Sequence, residues 1–458
     1  MSGPPRSRRP PPAAALAAPV LAALALASAA LLAADEAHAG GFDVFGFGSR
    51  GIALSNAMTA AADDHAALFY NPAGLTLRAT THLGADVYTA QPSLRVDLDR
   101  DPDDPALAPA LVAPHGGINL GALFPLGDRL ALGVAFGLPF KGLLDLELLD
   151  PQVPQWSRYD ALPRKMQILG GLSFKPLPWL HLGAGFQSLA RIDGGARFEM
   201  DLANETITRR DATIELIHTA APTLGALVEP PFLEGLRLGA SWRGALELSF
   251  DLPILFDFGQ SADILLGVAG VTLYTPHQIS AGLFWDLDPG LGWPIGVALD
   301  ASLALWSLAP PPSLDLVVDV QGDAPEGLGL DEALDFESPP DPSPGFKDTL
   351  TLAGGVEWRG PRGVSLRSGY AFRPAAIAPQ AGRNNYIDAD AHIFGLGVGV
   401  SRPNPLEEAR RPATFEVAGQ LTLLERVEVD KDDPDDAVGG YSAGGAILTL
   451  SLTLRHDL

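Results

Sequence analysis

The chain contains no cysteine among its 458 residues, so no disulfide can staple the fold and no thiol chemistry is available. Beyond the N-terminus it also lacks any run of about 18 apolar residues, the length that a membrane-spanning helix needs. Basic residues are scarce, with 31 Lys and Arg against 55 Asp and Glu and a formal net charge of −24. A nucleic-acid partner is therefore not expected, because neutralising phosphates requires a basic surface.

Glycine (50 residues) and proline (41 residues) are abundant, which argues against long helices. The mean hydropathy is nevertheless positive, at +0.15, which is unusual for a soluble protein. High apolarity without spanning helices leaves two classes of fold, a very large soluble core or a lipid-facing β-barrel.

The first 39 residues have the pattern of an export signal. Arg6, Arg8 and Arg9 form a basic region, 13–34 is apolar, and Ala37-His38-Ala39 is typical of a signal-peptidase cleavage site. Cleavage there would leave a mature chain beginning Gly40-Gly41-Phe42. The apolar stretch is long for a signal, so an uncleaved membrane anchor is the alternative.

After the signal the sequence changes character twice. Residues 40–78 are rich in Gly and Ala and show no alternation, whereas from about residue 80 onward large apolar residues alternate with small or polar ones. This period of two predicts strands with one apolar and one polar or small face. Fourteen segments show it, near 80–97, 116–124, 129–137, 165–175, 180–201, 212–228, 235–250, 275–286, 295–307, 348–358, 363–373, 391–401, 413–425 and 443–456.

The connections between these segments alternate in length. Short turns are predicted at 125–128, 176–179, 229–234, 286–294, 360–362 and 402–412, and long Asp-, Pro- and Gly-rich links lie between them. Short turns on one side and long loops on the other are typical of an outer-membrane barrel. We therefore predict an all-β fold, a fourteen-stranded antiparallel transmembrane β-barrel over 79–458. A barrel of this width cannot be filled by its own side chains, so residues 40–78 are predicted to plug it as an N-terminal hatch.

Several short motifs resemble the FadL/TodX family of outer-membrane transporters for fatty acids and aromatic hydrocarbons. They include Gly41-Phe42, 61–64 (AADD) and 71–75 (NPAGL) at the N-terminus. Farther along, 125–133 (PLGDRLALG), 182–186 (LGAGF), 241–243 (SWR), 306–307 (WS) and 345–348 (GFKD) occur in the family's order. The chain departs from the family at its end, since such barrels usually finish on an aromatic residue and this one finishes on Leu458.

The resemblance implies a passive transporter with a hatch and a site for a hydrophobic ligand. It places Arg197 where the family has a carboxylate-binding arginine, with a solvent-facing loop residue as the alternative. Lys347 is the nearest counterpart of the family's partnering lysine, and Phe42 is expected either in the binding pocket or in simple plug packing. Because the second cation has no clear counterpart, neutral aromatic or alkane cargo stays open beside long-chain fatty acids.

The same resemblance suggests gating positions. Asn71, Pro72, Ala73 and Gly74 would form a turn of the hatch against the wall, or only a turn. In the third strand, Gly133 or Gly137 would supply a kink that opens a lateral exit into the membrane, or would merely pack against the hatch.

Two catalytic motifs are coincidental. The G-x-S-x-G match at 440–444 follows an acidic loop and precedes a strand, although a nucleophile elbow needs a strand before it and a helix after it. The G-x-G-x-x-G match at 46–51 follows no strand, so no dinucleotide site is implied. The nine histidines show no metal-ligand spacing. We therefore expect no enzyme activity, cofactor or metal.

The expected partners are a hydrophobic small molecule and outer-membrane lipid, with the protein a monomer in the bacterial outer membrane. Clustered acidic residues at 99–104, 331–341 and 430–436 leave a second possibility, a structural or adhesive barrel whose loops bind cations. A general porin and an outer-membrane lipase are further competitors.

Overall fold

A computed structural model of the chain describes residues 42–109, 111–140, 144–145, 152–159, 164–201, 206–257, 263–288, 293–310, 314–321, 336–337, 343–403 and 411–458. The expected signal peptide and its cleavage site lie outside these residues. No helix in the described ranges is both long and apolar enough to cross a membrane.

Strands dominate the described part of the chain. In chain order they are β1 (His82–Leu98), β2 (His115–Pro125), β3 (Leu130–Pro139), β4 (Leu144–Asp145), β5 (Gln155–Trp156), β6 (Arg164–Lys165), β7 (Gln167–Leu177), β8 (Leu180–Asp201), β9 (Thr206–Val228), β10 (Leu236–Arg243), β11 (Leu246–Asp257), β12 (Asp263–Thr275), β13 (Gln278–Leu287), β14 (Ile295–Ala304), β15 (Leu314–Gln321), β16 (Phe336–Glu337), β17 (Thr349–Arg359), β18 (Val364–Arg373), β19 (Tyr386–Ile387), β20 (Ala391–Pro403), β21 (Pro412–Val429) and β22 (Tyr441–Asp457).

Fourteen of these strands form one closed antiparallel ring. Its order is β1-β2-β3-β7-β8-β9-β10-β13-β14-β17-β18-β20-β21-β22, with β22 pairing back onto β1. The closing ladder runs from His82 opposite Asp457 to Leu98 opposite Tyr441, so every residue of β1 has a partner. The predicted fourteen-stranded barrel is confirmed.

The connections alternate in length as predicted. At one end of the ring lie the start of β1, the end of β22 and the short connections from β2 to β3, β7 to β8, β9 to β10, β13 to β14, β17 to β18 and β20 to β21. The long connections from β1 to β2, β3 to β7, β10 to β13, β14 to β17, β18 to β20 and β21 to β22 leave from the other end, toward which the β8–β9 hairpin also extends. We call these two ends the turn end and the loop end.

One predicted strand is divided in the structure. The alternation over 235–250 predicts a single strand, but β10 ends at Arg243, opposite Thr223. The next residue along β9 is Pro222, which has no N–H to donate and so cannot continue the ladder. Gly244 donates its N–H to the carbonyl of Pro222 (2.8 Å), and the chain then leaves the ring as β11. At the loop end, β11 runs parallel to the outer part of β8, and β12, β15 and β16 extend this outer sheet.

The ring strands place small residues inside and large apolar residues outside. In β3, Ala131 and Ala135 face the lumen and are buried, whereas Leu130, Leu132 and Phe136 are exposed. The same exposed apolar belt continues around the ring, through Leu120, Leu172, Phe186, Leu238, Ile279, Leu299, Leu352, Leu366, Phe394, Leu421, Leu448 and Leu454. A continuous apolar surface of this size is stable against hydrocarbon rather than water.

The N-terminal segment 42–78 lies inside the ring, and we call it the plug segment. It contains three short helices, α1 (Phe42–Phe45), α2 (Gly48–Ala53) and α3 (Ala67–Tyr70), and a 3-10 turn over Pro72–Leu77. Most of its side chains are buried, and together with inward-facing wall residues they form the main hydrophobic cluster of the lumen. Helices of four to six residues are unstable alone, so their conformation depends on this packing.

Candidate functional site: the lumen between the plug segment and the outer loops

The plug segment is seated on glycines of the wall. Gly183 in β8 and Gly225 in β9 are direct cross-strand partners, and both face the turn at Asn71. A Cβ added to Gly183 would lie 2.2 Å from the backbone nitrogen of Ala73, and one on Gly225 would lie 2.0 Å from Asn71 Oδ1. Only residues without a side chain allow the backbone of the plug segment to approach the wall this closely.

Paired wall glycines also contact the plug segment at other positions around the ring. Five pairs of glycines that lie directly opposite each other on neighbouring described strands each receive part of the plug segment. The pairs and the residues they receive are Gly84–Gly121 with His65, Gly133–Gly171 with Leu68, Gly183–Gly225 with Asn71 to Ala73, Gly239–Gly282 with Thr59, and Gly355–Gly369 with Leu54. The lumen wall therefore has recesses at these glycine pairs, and the plug segment fits into them.

Replacing one of these wall glycines is expected to unseat the plug segment. Gly183→Ala forces a Cβ against backbone, which cannot rotate away, so we expect a loss of about 1–3 kcal/mol in the free energy of unfolding, typical of overpacking. Gly419→Ala on β21 is the matched control, because its Cβ would lie an ordinary 3.5 Å from Leu450. Denaturant unfolding in detergent measures both variants, and equal stabilities would contradict the seating.

The NPAG turn is held by both the plug segment and the wall. Asn71 Oδ1 accepts a hydrogen bond from the N–H of Ala73 (3.1 Å), and its Nδ2 donates to the carbonyls of Thr59 (2.8 Å) and Ala226 (3.1 Å). Pro72 starts the 3-10 turn, where its missing N–H costs nothing. A Cβ at Gly74 would lie 2.2 Å from the carbonyl oxygen of Ala62. The predicted turn residues thus bring three parts of the lumen together.

A buried network of arginines and carboxylates links the plug segment to the strands at the turn end. Among the described residues, Arg50 contacts Asp63 (2.9 Å) and Glu357 (2.8 Å), and Arg455 contacts Asp64 and Glu416, each at 2.6 Å. His65 contacts Asp86, and His82 contacts Asp457. The network comprises five arginines (Arg50, Arg78, Arg359, Arg367 and Arg455) and seven carboxylates (Asp63, Asp64, Asp86, Asp286, Glu357, Glu416 and Asp457).

On the loop side of the plug segment lies a cavity of about 200 Å³. Its floor is formed by residues of the plug segment, and its sides by strands from β9 to β20. Five aromatic rings line it, those of Phe69, Tyr70, Trp242, Tyr274 and Trp306. The rest of the lining is largely polar, with serine, threonine, asparagine and glutamine side chains and the carboxylate of Asp300. Aromatic rings combined with polar groups suit a small ligand that has an apolar body and a polar end.

Three arginines also line this cavity. The guanidinium of Arg158 lies 4.5 Å from the ring centre of Trp306, and that of Arg243 lies 4.1 Å from the ring centre of Phe69. Arg373 donates to the hydroxyl of Tyr159 (3.1 Å). Cations stacked on aromatic rings keep their charge beside an apolar ligand at low desolvation cost.

Two arginines meet at one carboxylate at the outer end of the cavity. Arg158 and Arg373 share one carboxylate, that of Asp388, at 3.0 Å and 3.8 Å. Burial opposes the charged form of Asp388, but the two guanidinium groups outweigh it and hold the pKa of that carboxyl below its ordinary value. Nη2 of Arg158 is buried and has no hydrogen-bond partner among the residues that the structure describes. A buried donor of this kind favours an acceptor on a ligand.

None of the three residues that the resemblance proposed for the ligand is among the described residues that line the cavity. Arg197 lies in the outer part of β8, opposite Asp211 of β9 and Leu255 of β11, and its side chain is not among those described. Lys347 is exposed in the loop before β17, and its N–H donates to the carbonyl of Ala376. Its neighbour Phe346 stacks on Trp306. Phe42 begins α1, from which Val44 reaches the cavity, but the Phe42 side chain also lies outside the described set.

The third strand is continuous where it is described. β3 pairs with β2 up to Pro139 and with β7 from Leu130 to Gly137, without a shift in register. A Cβ on Gly133 would lie 3.0 Å from Leu75 and 3.1 Å from Leu68. Gly133 therefore packs against the plug segment, and the described part of β3 shows no lateral gap at Gly133 or Gly137.

Sequence reasoning missed the arginines of the cavity. Trp242, Arg243 and Trp306 fall within motifs that the family resemblance had drawn attention to, but nothing in the local pattern of Arg158 distinguishes it from any loop arginine. The G-x-S-x-G match lies at the start of β22, where the hydroxyl of Ser442 accepts a hydrogen bond from Arg426 (2.6 Å) and a strand follows directly.

No family model matches the sequence, and no curated protein matches it. Solved structures do match it in fold. A FadL homologue of Pseudomonas aeruginosa is 15% identical, with a TM-score of 0.59 over 90% of this chain and 98% of that one. The toluene transporters TodX of Pseudomonas putida and TbuX of Ralstonia pickettii are each 12% identical, with TM-scores of 0.56 and 0.53 over 91% of this chain and 99% and 100% of theirs. At the level of fold, the resemblance to FadL and TodX is confirmed.

Proposed function

We propose that this chain, with the fold of the FadL homologue and of TodX, is a passive outer-membrane transporter for hydrophobic small molecules. The observation that carries the proposal is the aromatic-lined cavity between the plug segment and the outer loops. The exposed apolar belt supports placement in a bilayer, and exposed Trp179, Trp285 and Trp293 lie near the turn end, where an interfacial girdle is expected. No catalytic role is proposed for any residue.

The size of the cavity bears on the cargo. An apolar cavity of about 150 Å³ holds benzene, and pockets for drug-sized ligands measure about 300–1,000 Å³. A cavity of 200 Å³ therefore encloses a single ring or the head end of an acyl chain, but not an entire long chain. Long-chain fatty acids are the first candidate cargo because Arg158 offers a buried, unpartnered donor for a carboxylate.

Neutral monoaromatic hydrocarbons are the second candidate. The aromatic lining and the volume of the cavity suit them, and TodX and TbuX are named as toluene transporters. For such a ligand, the arginines would contribute only through their stacking on Phe69 and Trp306.

A pair of arginine variants distinguishes these cargoes. If a carboxylate binds in the cavity, Arg158→Gln should weaken fatty-acid binding by about 1.5–3 kcal/mol, or about 10- to 150-fold, the contribution of a charged hydrogen bond. Toluene binding should not change. Arg197→Gln tests in the same way the carboxylate site that the family resemblance suggests. Fluorescence or calorimetric titration of the detergent-solubilised protein measures each, and unchanged fatty-acid binding in both variants would remove the carboxylate site.

Transport itself is tested by uptake. Cells lacking their own transporter should take up labelled oleate or toluene when they express this chain, and planar bilayers containing it should conduct few ions because the lumen is plugged. High conductance without uptake would identify a general porin, and neither activity would favour a structural or adhesive barrel.

A further inference from the structure

Two buried histidines in the lumen each have one ring nitrogen without a partner. His65 belongs to the plug segment and His82 is the first residue of β1, and each side chain is 1% exposed. Within the described part of the chain, Nδ1 of His65 and Nε2 of His82 have no hydrogen-bond partner, and the two rings stack with their centres 5.5 Å apart. Leaving two such nitrogens buried and unpaired is costly unless a ligand fills their coordination.

Carboxylates fix the orientation of both rings. Nε2 of His65 contacts Asp86 Oδ2 (3.1 Å), and Nδ1 of His82 contacts Asp457 Oδ1 (2.9 Å). A histidine held by a carboxylate on one nitrogen and free on the other is the usual arrangement of a metal-binding histidine, because the carboxylate sets the tautomer and raises the basicity of the free nitrogen. The paired glycines Gly84 and Gly121 make the room for the His65 ring, since a Cβ on either would lie 2.0–2.2 Å from it.

Asp64 supplies a third ligand atom. The ligand atoms of Asp64, His65 and His82 all lie within 4.8 Å of one another. Ligand atoms at about 2.0–2.2 Å from a tetrahedral zinc ion lie about 3.3–3.6 Å from one another, so the three side chains would have to close by up to about 1.5 Å around the ion. The Asp64 carboxylate already accepts from Arg455 and from the N–H of Ala66, but its oxygens have further lone pairs.

The charge of the surroundings favours a cation. Seven carboxylates of the network stand against its five arginines and against Arg237, which interacts electrostatically with Asp63 and Asp286. One negative charge is left when both histidines are neutral. Buried charges need compensation, and a bound cation would supply it.

We propose that Asp64, His65 and His82 bind a divalent transition-metal cation, of which Zn²⁺ is the type, and that this ion fastens the plug segment to β1 at the turn end. Two imidazole nitrogens and one carboxylate oxygen form a donor set suited to zinc, and water completes its coordination. With no cysteine in the chain, no thiolate competes for the ion.

The test uses the mature protein in detergent, purified without a histidine tag. Titration with Zn²⁺ in competition with a chromophoric chelator should give one ion per chain. His65→Gln and His82→Gln should each weaken this binding by at least 100-fold, and Asp86→Asn by about 10- to 100-fold, the usual effect of losing the group behind a metal-bound histidine. His181→Gln should leave it unchanged, because that buried histidine is already partnered on both nitrogens, by Thr76 and Glu229.

The metal site can also be tested in the unmodified protein, so the proposal does not depend on whether the variants fold. Crystals grown with Zn²⁺ should show an anomalous peak within bonding distance of His65 Nδ1 and His82 Nε2. Anomalous peaks at surface histidines alone, absence of stoichiometric binding, or equal binding by the His65→Gln and His181→Gln proteins would each overturn the proposal.

Discussion

A disulfide between cysteines at positions 54 and 355 is expected to abolish uptake while leaving ligand binding intact. The cavity lies on the loop side of the plug segment, and the plug segment contacts glycines of the wall on every side. All neighbouring strands of the ring are paired, so a ligand leaving the cavity must displace the plug segment first. No nucleotide-binding motif supplies energy, and the displacement must be a change between states of similar free energy.

The positions follow from the geometry of this contact. A Cβ on Gly355 would lie 3.2 Å from the Cβ of Leu54, close to the 3.5–4.5 Å that a disulfide spans. Leu54→Cys also removes the Cδ2 atom that would otherwise crowd it. The chain has no native cysteine, so the engineered pair is the only thiol pair present.

Uptake of labelled ligand by cells expressing the oxidised double variant should fall to the level of cells without the protein. Reductant should restore it, and the uptake of each single-cysteine variant should be the same under oxidising and reducing conditions. Full uptake by a protein whose cross-link has been verified would show that the plug segment stays in place and that the ligand takes another path.

Glu416→Gln should cost about 3–5 kcal/mol of the free energy of unfolding, the range for breaking a buried ion pair. Glu416 is 1% exposed and lies between Arg367 (2.8 Å) and Arg455 (2.6 Å). The neutral amide would leave two buried guanidinium groups without their shared carboxylate. Arg455 also holds Asp64, so the plug segment should become more open to proteolysis.

Glu428→Gln on the same strand is the matched control. Its carboxylate pairs with Arg426 at 3.8 Å, but both side chains are more than half exposed, and an exposed pair of this kind contributes less than about 1 kcal/mol. Urea unfolding in detergent, followed by the heat-dependent shift of the folded band in electrophoresis, compares the two. Similar midpoints for Glu416→Gln and the unmodified protein would show that the network adds little stability.

The barrel was predictable because its evidence is local. In β3 the alternation of Leu130, Leu132 and Phe136 with small residues fixes both the strand and its lipid-facing side, and loop lengths fix the direction of the ring. Proline at position 222 ends the β9–β10 ladder, but its effect depends on which residue lies opposite. The strand predicted over 235–250 was therefore divided at a point that the alternation could not reveal.

The site was far less predictable because its parts are distant in sequence. Gly183 and Gly225 contact the same turn of the plug segment only because the strand register places them opposite each other. The sequence between them does not indicate that register. Arg158 reaches the cavity from a long loop, and its partner Asp388 lies 230 residues away. Arg197 was placed by resemblance alone, and its suggested role stays a prediction.

His65 and His82 illustrate the same limit. They are seventeen positions apart in the sequence, a spacing that matches no metal-binding motif, and the sequence therefore predicted no metal site. Their rings meet because the plug segment folds back against β1, and the carboxylates that orient them come from β1 itself and from the last strand.

The plug segment is synthesised before the barrel strands, but it can pack only after the barrel has closed. Ser49 donates its N–H to Thr453 Oγ1 (2.9 Å), across 404 residues, and this contact exists only once β22 has closed the ring onto β1. Contacts between such distant residues make folding slow. The plug segment must therefore remain unfolded through most of barrel assembly. Its mostly small side chains limit the apolar surface that it exposes before the barrel closes.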